Sequence, residues 1–232
     1  MPAAPRPLWV KICGIRDLRV AQQLPRLQPS AIGLNFYAGS PRSVSPEIAA
    51  GIVRELPSTI TPVGLFVNHA LDEIASLARS CRLRALQLHG DETPRFLAEL
   101  RQLLPDLDLI RAHRLGDEGL GPLTDYLSEC RRLGVDLRGC LIDARVEGMY
   151  GGSGKTVRWE MLANWPANRP PLILAGGLTP ENVADAIRAA RPWGVDTASG
   201  IESVPGRPDL VLIERFIANA REAVERADQT VS

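Results

Sequence analysis

Val10-Lys11-Ile12-Cys13-Gly14 is a short apolar run with strand character that gives way to a glycine turn. Catalytic groups of strand-loop-helix proteins sit at the carboxyl ends of strands, so a thiol at this boundary is expected to be presented, not buried. The strand reads as Leu8 to Ile12, and seven similar runs follow: Ala31 to Phe36, Pro62 to Val67, Arg84 to Leu88, Leu109 to His113, Gly139 to Ile142, Leu172 to Ala175 and Gly194 to Thr197. Segments with helical spacing lie between them, among them Pro46 to Leu56, Leu71 to Ser80, Pro94 to Leu104, Leu120 to Leu133, Pro180 to Ala190 and Leu210 to Ala227. Three of these open on a hydroxyl N-cap followed by proline, Ser45-Pro46, Thr93-Pro94 and Thr179-Pro180, since proline loses nothing where the N–H is already unpaired. Strands separated by helices run parallel with right-handed crossovers. Eight such units in 232 residues favour closure, which predicts an α/β fold: a single-domain (β/α)8 TIM barrel over residues 1–232 with short flexible tails. No glycine fingerprint follows the first strand, where Cys13-Gly14-Ile15-Arg16 stands, and this argues against a dinucleotide-binding sheet.

Composition narrows the partners. The chain is 45% hydrophobic and 23% charged with a formal net charge of +0, so nothing in its charge points to nucleic acid or an anionic membrane surface. No apolar run approaches the roughly 20 residues that span a bilayer, and Met1-Pro2-Ala3-Ala4-Pro5-Arg6-Pro7 lacks a signal peptide's apolar segment. A cytoplasmic location is expected. Cys13, Cys81, Cys130 and Cys140 form no C-x-x-C pair, and His69, His89 and His113 stand at no metal-ligand spacing, so no metal is expected. Cys81, Cys130 and Cys140 read as small buried hydrophobes. The tryptophans, Trp159 and Trp193 among them, read as packing, and His69 and His113 as surface or packing residues.

In a barrel of this kind the functional face gathers the residues just after each strand. Cys13 follows the first and Ser40-Pro41-Arg42 the second. Gln87-Leu88-His89-Gly90 surrounds the end of the fourth, and Asp143 ends the sixth. Gly176-Gly177 follows the seventh, while Asp196 and Ser199-Gly200 accompany the eighth. The last two groups suit a phosphate, because glycines let backbone N–H groups approach an anion; tight turns are the alternative. Asp143 can serve as a general acid, or as a helix cap or partner for Arg145. Cys13 can act as a base once it is thiolate, which needs a nearby cation or helix terminus to lower its pKa. Arg42, behind a Ser-Pro turn, offers a fork for a carboxylate or is a solvated surface arginine. His89 either donates a hydrogen bond or simply ends its strand. Gly151-Gly152-Ser153-Gly154-Lys155-Thr156 misses the P-loop pattern by one position, at Met149, and reads as a lid.

Taken in order, these motifs resemble the phosphoribosylanthranilate isomerase family over nearly the whole chain. The resemblance rests on Val10 to Gly14, Phe36-Tyr37 with Ser40-Pro41-Arg42, Gly64 to Asn68, Gln87 to Gly90, Ile142-Asp143 with Tyr150 to Thr156, Ala175 to Leu178, and Gly194-Val195-Asp196 with Ser199-Gly200-Ile201-Glu202. It implies a cofactor-free Amadori rearrangement of N-(5-phosphoribosyl)anthranilate to 1-(2-carboxyphenylamino)-1-deoxyribulose 5-phosphate, with Cys13 as general base and Asp143 as general acid. It also implies Arg42 as the carboxylate-binding arginine, phosphate contacts at Gly176, Gly177, Ser199 and Gly200, and His89 and Asp196 as further pocket members. The substrate is then a small phosphosugar-anthranilate molecule, and the enzyme a monomer or homodimer. Leu34-Asn35 and Thr197-Ala198 depart from the family pattern, which bears on affinity more than on reaction type. Rival readings are another phosphosugar barrel enzyme, of the indole-glycerol-phosphate synthase or epimerase type, and a non-catalytic phosphosugar-binding barrel. The synthase would show a catalytic lysine at a strand end, and Lys11, on the face opposite Ile12, is the one lysine within a strand.

Overall fold

The structure is a computed structural model that describes residues 8–115, 118–143 and 159–229. The apolar runs pair edge to edge as eight parallel strands: β1 (Trp9–Cys13), β2 (Ala31–Asn35), β3 (Thr61–Phe66), β4 (Ala85–Leu88), β5 (Asp108–Arg114), β6 (Gly139–Asp143), β7 (Leu172–Ala175) and β8 (Gly194–Thr197). β8 pairs back on β1, with Lys11 beside Asp196, so the sheet closes into the expected barrel. Around it lie α1 (Leu18–Leu27), α2 (Pro46–Glu55), α3 (Leu71–Ser80), α4 (Pro94–Leu103), α5 (Gly121–Arg132), α6 (Val183–Ala190) and α7 (Leu210–Gln229). Before β7 the described residues hold only a 3-10 turn, Trp159–Leu162. A short antiparallel pair, β9 (Glu202–Val204) and β10 (Arg207–Pro208), follows β8.

Helix α1, between β1 and β2, holds Pro25 inside it. Pro25 stands in the last turn, so the bond its missing N–H forgoes lies at the end of the ladder and little helix follows it, while Asp17 caps the start by accepting from the Arg19 N–H at 2.7 Å. Ser45 and Thr93 cap as expected, accepting from the Ile48 and Phe96 N–H groups at 3.4 and 3.2 Å. The Thr179-Pro180 boundary needs correction, since the regular helix begins only at Val183. Thr179 Oγ1 accepts from the Glu181 N–H and Asn182 Oδ1 accepts from the Thr179 N–H, a reciprocal box that leaves the first turn as a turn.

Strand side chains alternate between two cores, as a period of two requires. Ile12, Ile32, Leu34, Phe66 and Leu86 face outward under the helices, each fully buried and each contributing roughly 1.5–3 kcal/mol. Ala31, Val63, Ala85, Ile110, Ala112, Leu141 and Ile173 fill the barrel itself. Trp9 and Trp193 stack 5.3 Å apart at the amino ends of their strands and floor that interior, so Trp193 packs as expected. Trp159 is buried in the outer core, and Cys81, Cys130 and Cys140 are buried and unbridged. His69 packs edge-on against Phe66, and His113 is half-buried. Among the described residues no helix is long and apolar enough to cross a membrane. The glycine-rich stretch Gly151 to Thr156, Arg145 and the extreme tails lie outside the described residues.

Candidate active site

At the carboxyl end of the barrel a cavity of about 470 Å³ is lined by Cys13, Arg42, His89, Asp143 and Asp196, together with Gly176, Gly177 and Ser199. The strand ends thus bring together eight of the nine expected site residues. Gly200 sits just behind, where a Cβ would collide with the Leu178 carbonyl, so its glycine lets the 3-10 turn Ser199–Ile201 close on the β7 loop. Gly176 and Gly177 have φ of 94° and 66°, two successive left-handed residues that only glycine adopts without strain.

The expectation that Cys13 is presented rather than buried is corrected. It is the last residue of β1, only 5% exposed, and forms the floor of the cavity instead of projecting from its rim. Burial pushes its thiol pKa up, and the neighbouring Lys11 ammonium pulls it only part of the way back. Lys11 is fully buried and donates to Asp196 Oδ1 at 2.8 Å. It does not line the cavity, so it is not the strand-end lysine that a synthase-type reading requires.

Arg42 is held at both ends. Its N–H bonds to Ser40 Oγ at 3.1 Å, as the Ser-Pro turn predicts, and its Nε and Nη2 fork onto both Glu202 oxygens at 2.6 Å. A guanidinium carries five N–H donors, so the end-on face of the fork remains available. Glu202 gets there because β9 turns it back over the barrel mouth, and its side chain is only 4% exposed.

His89 is neutral, its pKa lowered to about 4 chiefly by burial. Its Nδ1 meets Gln87 Nε2 at 3.0 Å and accepts from that amide, which puts the ring proton on Nε2 and makes His89 a donor. A latch fixes the loop beneath it: Arg111 donates to Glu92 at 2.9 Å and to the Gly90 carbonyl at 2.9 Å, while Glu92 accepts from the Gly90 and Asn68 N–H groups. Asn35 lines the cavity and steadies the Arg42 loop, donating to Ser40 Oγ at 3.1 Å and accepting from the Tyr37 N–H at 2.9 Å.

The sequence assigns no part to Arg114, and it places Gln87 and Glu202 only within motifs, with no role of their own. Arg114 lines the cavity from the end of β5, and alternation from Ile110 and Ala112 would have found it had that strand been carried one residue past His113. The buried Oε1 of Gln87 has no protein partner among the described residues. Also among these residues, no cluster of three or more His, Cys, Asp or Glu could hold a metal ion.

Comparison with known proteins gives the family of the whole chain. A curated N-(5'-phosphoribosyl)anthranilate isomerase of Trichlorobacter lovleyi is 41% identical over 215 residues, which is 93% of this chain and 98% of that protein. A solved phosphoribosyl anthranilate isomerase, in complex with reduced 1-(o-carboxyphenylamino)-1-deoxyribulose 5-phosphate, superposes with a TM-score of 0.77 at 34% identity, over 93% of this chain and 99% of its own. A structure of monomers generated from the dimeric Thermotoga maritima isomerase gives 0.76 at 31% identity, over 92% and 98%. With the family profile for N-(5'-phosphoribosyl)anthranilate isomerase also matching residues 10–219, the chain belongs to the phosphoribosylanthranilate isomerase family.

Proposed function

We propose that this chain is an active phosphoribosylanthranilate isomerase, a single-domain barrel that performs a cofactor-free Amadori rearrangement by general acid and base catalysis. The observation that carries the reading is the convergence of Cys13, Asp143 and Arg42 on one cavity that is also walled by Gly176, Gly177 and Ser199. The glycine loops after β7 and β8, with Gly200 behind them, take the phosphate through backbone N–H groups. Across from them, Arg42 keeps its side-on fork on Glu202 and turns its end-on fork to the anthranilate carboxylate.

With the substrate anchored at both ends, its ribose lies between β1 and β6, three strands apart round the barrel. Asp143 gives a proton to the ring oxygen, the C1–O bond breaks, and a Schiff base forms. Cys13 then takes the C2 proton onto its sulfur, leaving an enolamine that tautomerises to the ketone as C1 gains a proton. Each transfer by a positioned group contributes roughly 10² to 10⁴ in rate. Neutral His89 and Asp196 complete the pocket as hydrogen-bonding groups.

The four free, buried thiols suit a reducing cytoplasm. The near-zero net charge supports a small phosphosugar-anthranilate substrate as the partner, not nucleic acid or membrane. The chain works as a monomer or as a homodimer, the state given for the Thermotoga relative. A progress curve with N-(5'-phosphoribosyl)anthranilate tests the reading: loss of anthranilate fluorescence with formation of the deoxyribulose product is expected. Saturable binding without turnover would make the protein a phosphosugar-binding barrel instead.

A further inference from the structure

Of the 27 basic residues in this chain, 25 are arginine and two are lysine. Lys11, one of that pair, is 0% exposed in the middle of the barrel. Lysine stems normally carry their charge out to water, but here the stacked Trp9 and Trp193 floor the interior below. A buried ammonium is tolerated only when it is paired, and Asp196 supplies the pair at 2.8 Å. Structure alone gives no reason to keep an ion pair in a core, since apolar groups of similar volume fill such space as well or better.

The location of the ammonium supplies a reason. Lys11 and Cys13 are two residues apart on β1 and so share its inward face. Gly33, paired with Cys13 across the β1–β2 ladder, is the gap that accommodates both: a Cβ there would lie 2.5 Å from Cys13 Sγ and 3.1 Å from Lys11 Nζ. Thiol and ammonium therefore occupy one small space beside the same glycine. Lysine suits it as a compact point charge, whereas the planar fork of arginine is bulkier.

We propose that Lys11 is the positioning residue that sets the ionisation of Cys13, holding a fixed positive charge against the sulfur so that the thiolate is reachable inside a closed barrel. Asp196 holds the ammonium in place and offsets its charge while Cys13 is a thiol. When the sulfur becomes thiolate the ammonium faces two anions, and it reverts to a simple pair once Cys13 takes up a proton. The directions of ionisation agree: burial pulls Lys11 down, but Asp196 and Cys13 more than reverse it, so the ammonium persists. Among the described residues, the other charged or titratable groups lining the cavity are Tyr37 and Arg42 after β2, His89 after β4, Arg114 on β5 and Asp143 on β6. The inference builds on the proposed base role of Cys13, but its test reads the thiol itself and not turnover.

The experiment is the pH dependence of Cys13 alkylation by iodoacetamide, followed by mass spectrometry of its peptide in the intact protein and in Lys11→Met. The variant is expected to raise the alkylation midpoint by at least one pH unit, which is about tenfold slower labelling at pH 8. An unchanged midpoint in a folded variant would overturn the proposal and leave Lys11 a structural residue. A second measurement covers a variant that fails to fold: native protein carrying 13Cε-lysine gives two signals, and Lys155→Arg identifies that of Lys11. That signal should report ammonium at pH 7 and respond at the alkylation midpoint of Cys13, with the response lost in Cys13→Ser. A neutral amine at pH 7, or a signal blind to Cys13, would contradict the assignment. Full turnover by Cys13→Ala would remove the base role and yet leave these thiol measurements standing.

Discussion

Gly33→Ala is the smallest change that disturbs the proposed chemistry without replacing a charged group. The new methyl would sit 2.5 Å from Cys13 Sγ and 3.1 Å from both the Cys13 α-carbon and Lys11 Nζ. Non-bonded carbon atoms settle at about 3.5–4.0 Å, so the sulfur must retreat by roughly 1 Å or swing to another rotamer. The α-carbon is part of the main chain, and β1 and β2 are tied there by the Gly14 and Ile15 N–H groups on the Gly33 carbonyl, at 2.9 and 3.0 Å. The strands can therefore give by only a few tenths of an ångström, and the side chains absorb the rest. Overpacking of this kind costs about 1–3 kcal/mol of stability, which should leave the barrel folded. The catalytic effect should be larger, because a 1 Å misplacement of a reacting group costs on the order of 10² in rate. Steady-state turnover of the fluorescent substrate, beside urea unfolding, separates the two effects. The expected result is kcat down about 10²-fold with KM within a few-fold. A folded Gly33→Ala protein with kcat within threefold of the parent would refute the placement of the thiol.

Glu202→Ala removes both acceptors that hold Arg42 side-on, at 2.6 Å each, while sparing the arginine itself. Charge-assisted hydrogen bonds of this type are worth about 1.5–3 kcal/mol, so KM should rise roughly 10- to 100-fold with kcat much less changed. Arg42→Ala should show the same pattern more strongly, and a fall in kcat alone would place the pair nearer the chemistry. His89 supplies a pH signature. Its pKa is about 4 in the folded protein and near 6.5 when unfolded, so between these values the unfolded chain binds the extra proton and stability falls as pH drops. This group alone should remove roughly 3 kcal/mol between pH 6.5 and 4. His89→Asn should flatten that limb in urea titrations at several pH values; an identical slope would show that His89 is not buried neutral.

The order of the strands and the cavity residues at their ends were legible because both depend on local pattern. Apolar runs bounded by turns marked the eight strands, and parallel closure then put residues 13, 42, 89, 143 and 196 at one mouth whatever the loops do. What the sequence hides is burial and long-range pairing. The Cys13-Gly14 boundary reads as a rim position, yet the strand runs through Cys13 and the closed barrel sinks the thiol below the mouth. The Arg42–Glu202 fork joins residues 160 positions apart through a two-strand ribbon too short for periodicity to reveal. Lys11 was visible as a strand lysine, but its purpose depends on Asp196, 185 residues away, and on the empty face of Gly33.

The central claim is that Cys13 and Asp143 carry the two proton transfers, and turnover of Cys13→Ala and Asp143→Asn tests it most directly. Both variants should bind substrate with KM close to the parent value and lose kcat by roughly 10² to 10⁴. Near-normal kcat in both, or a substrate-derived covalent adduct on Cys13 during turnover of the parent protein, would contradict the account.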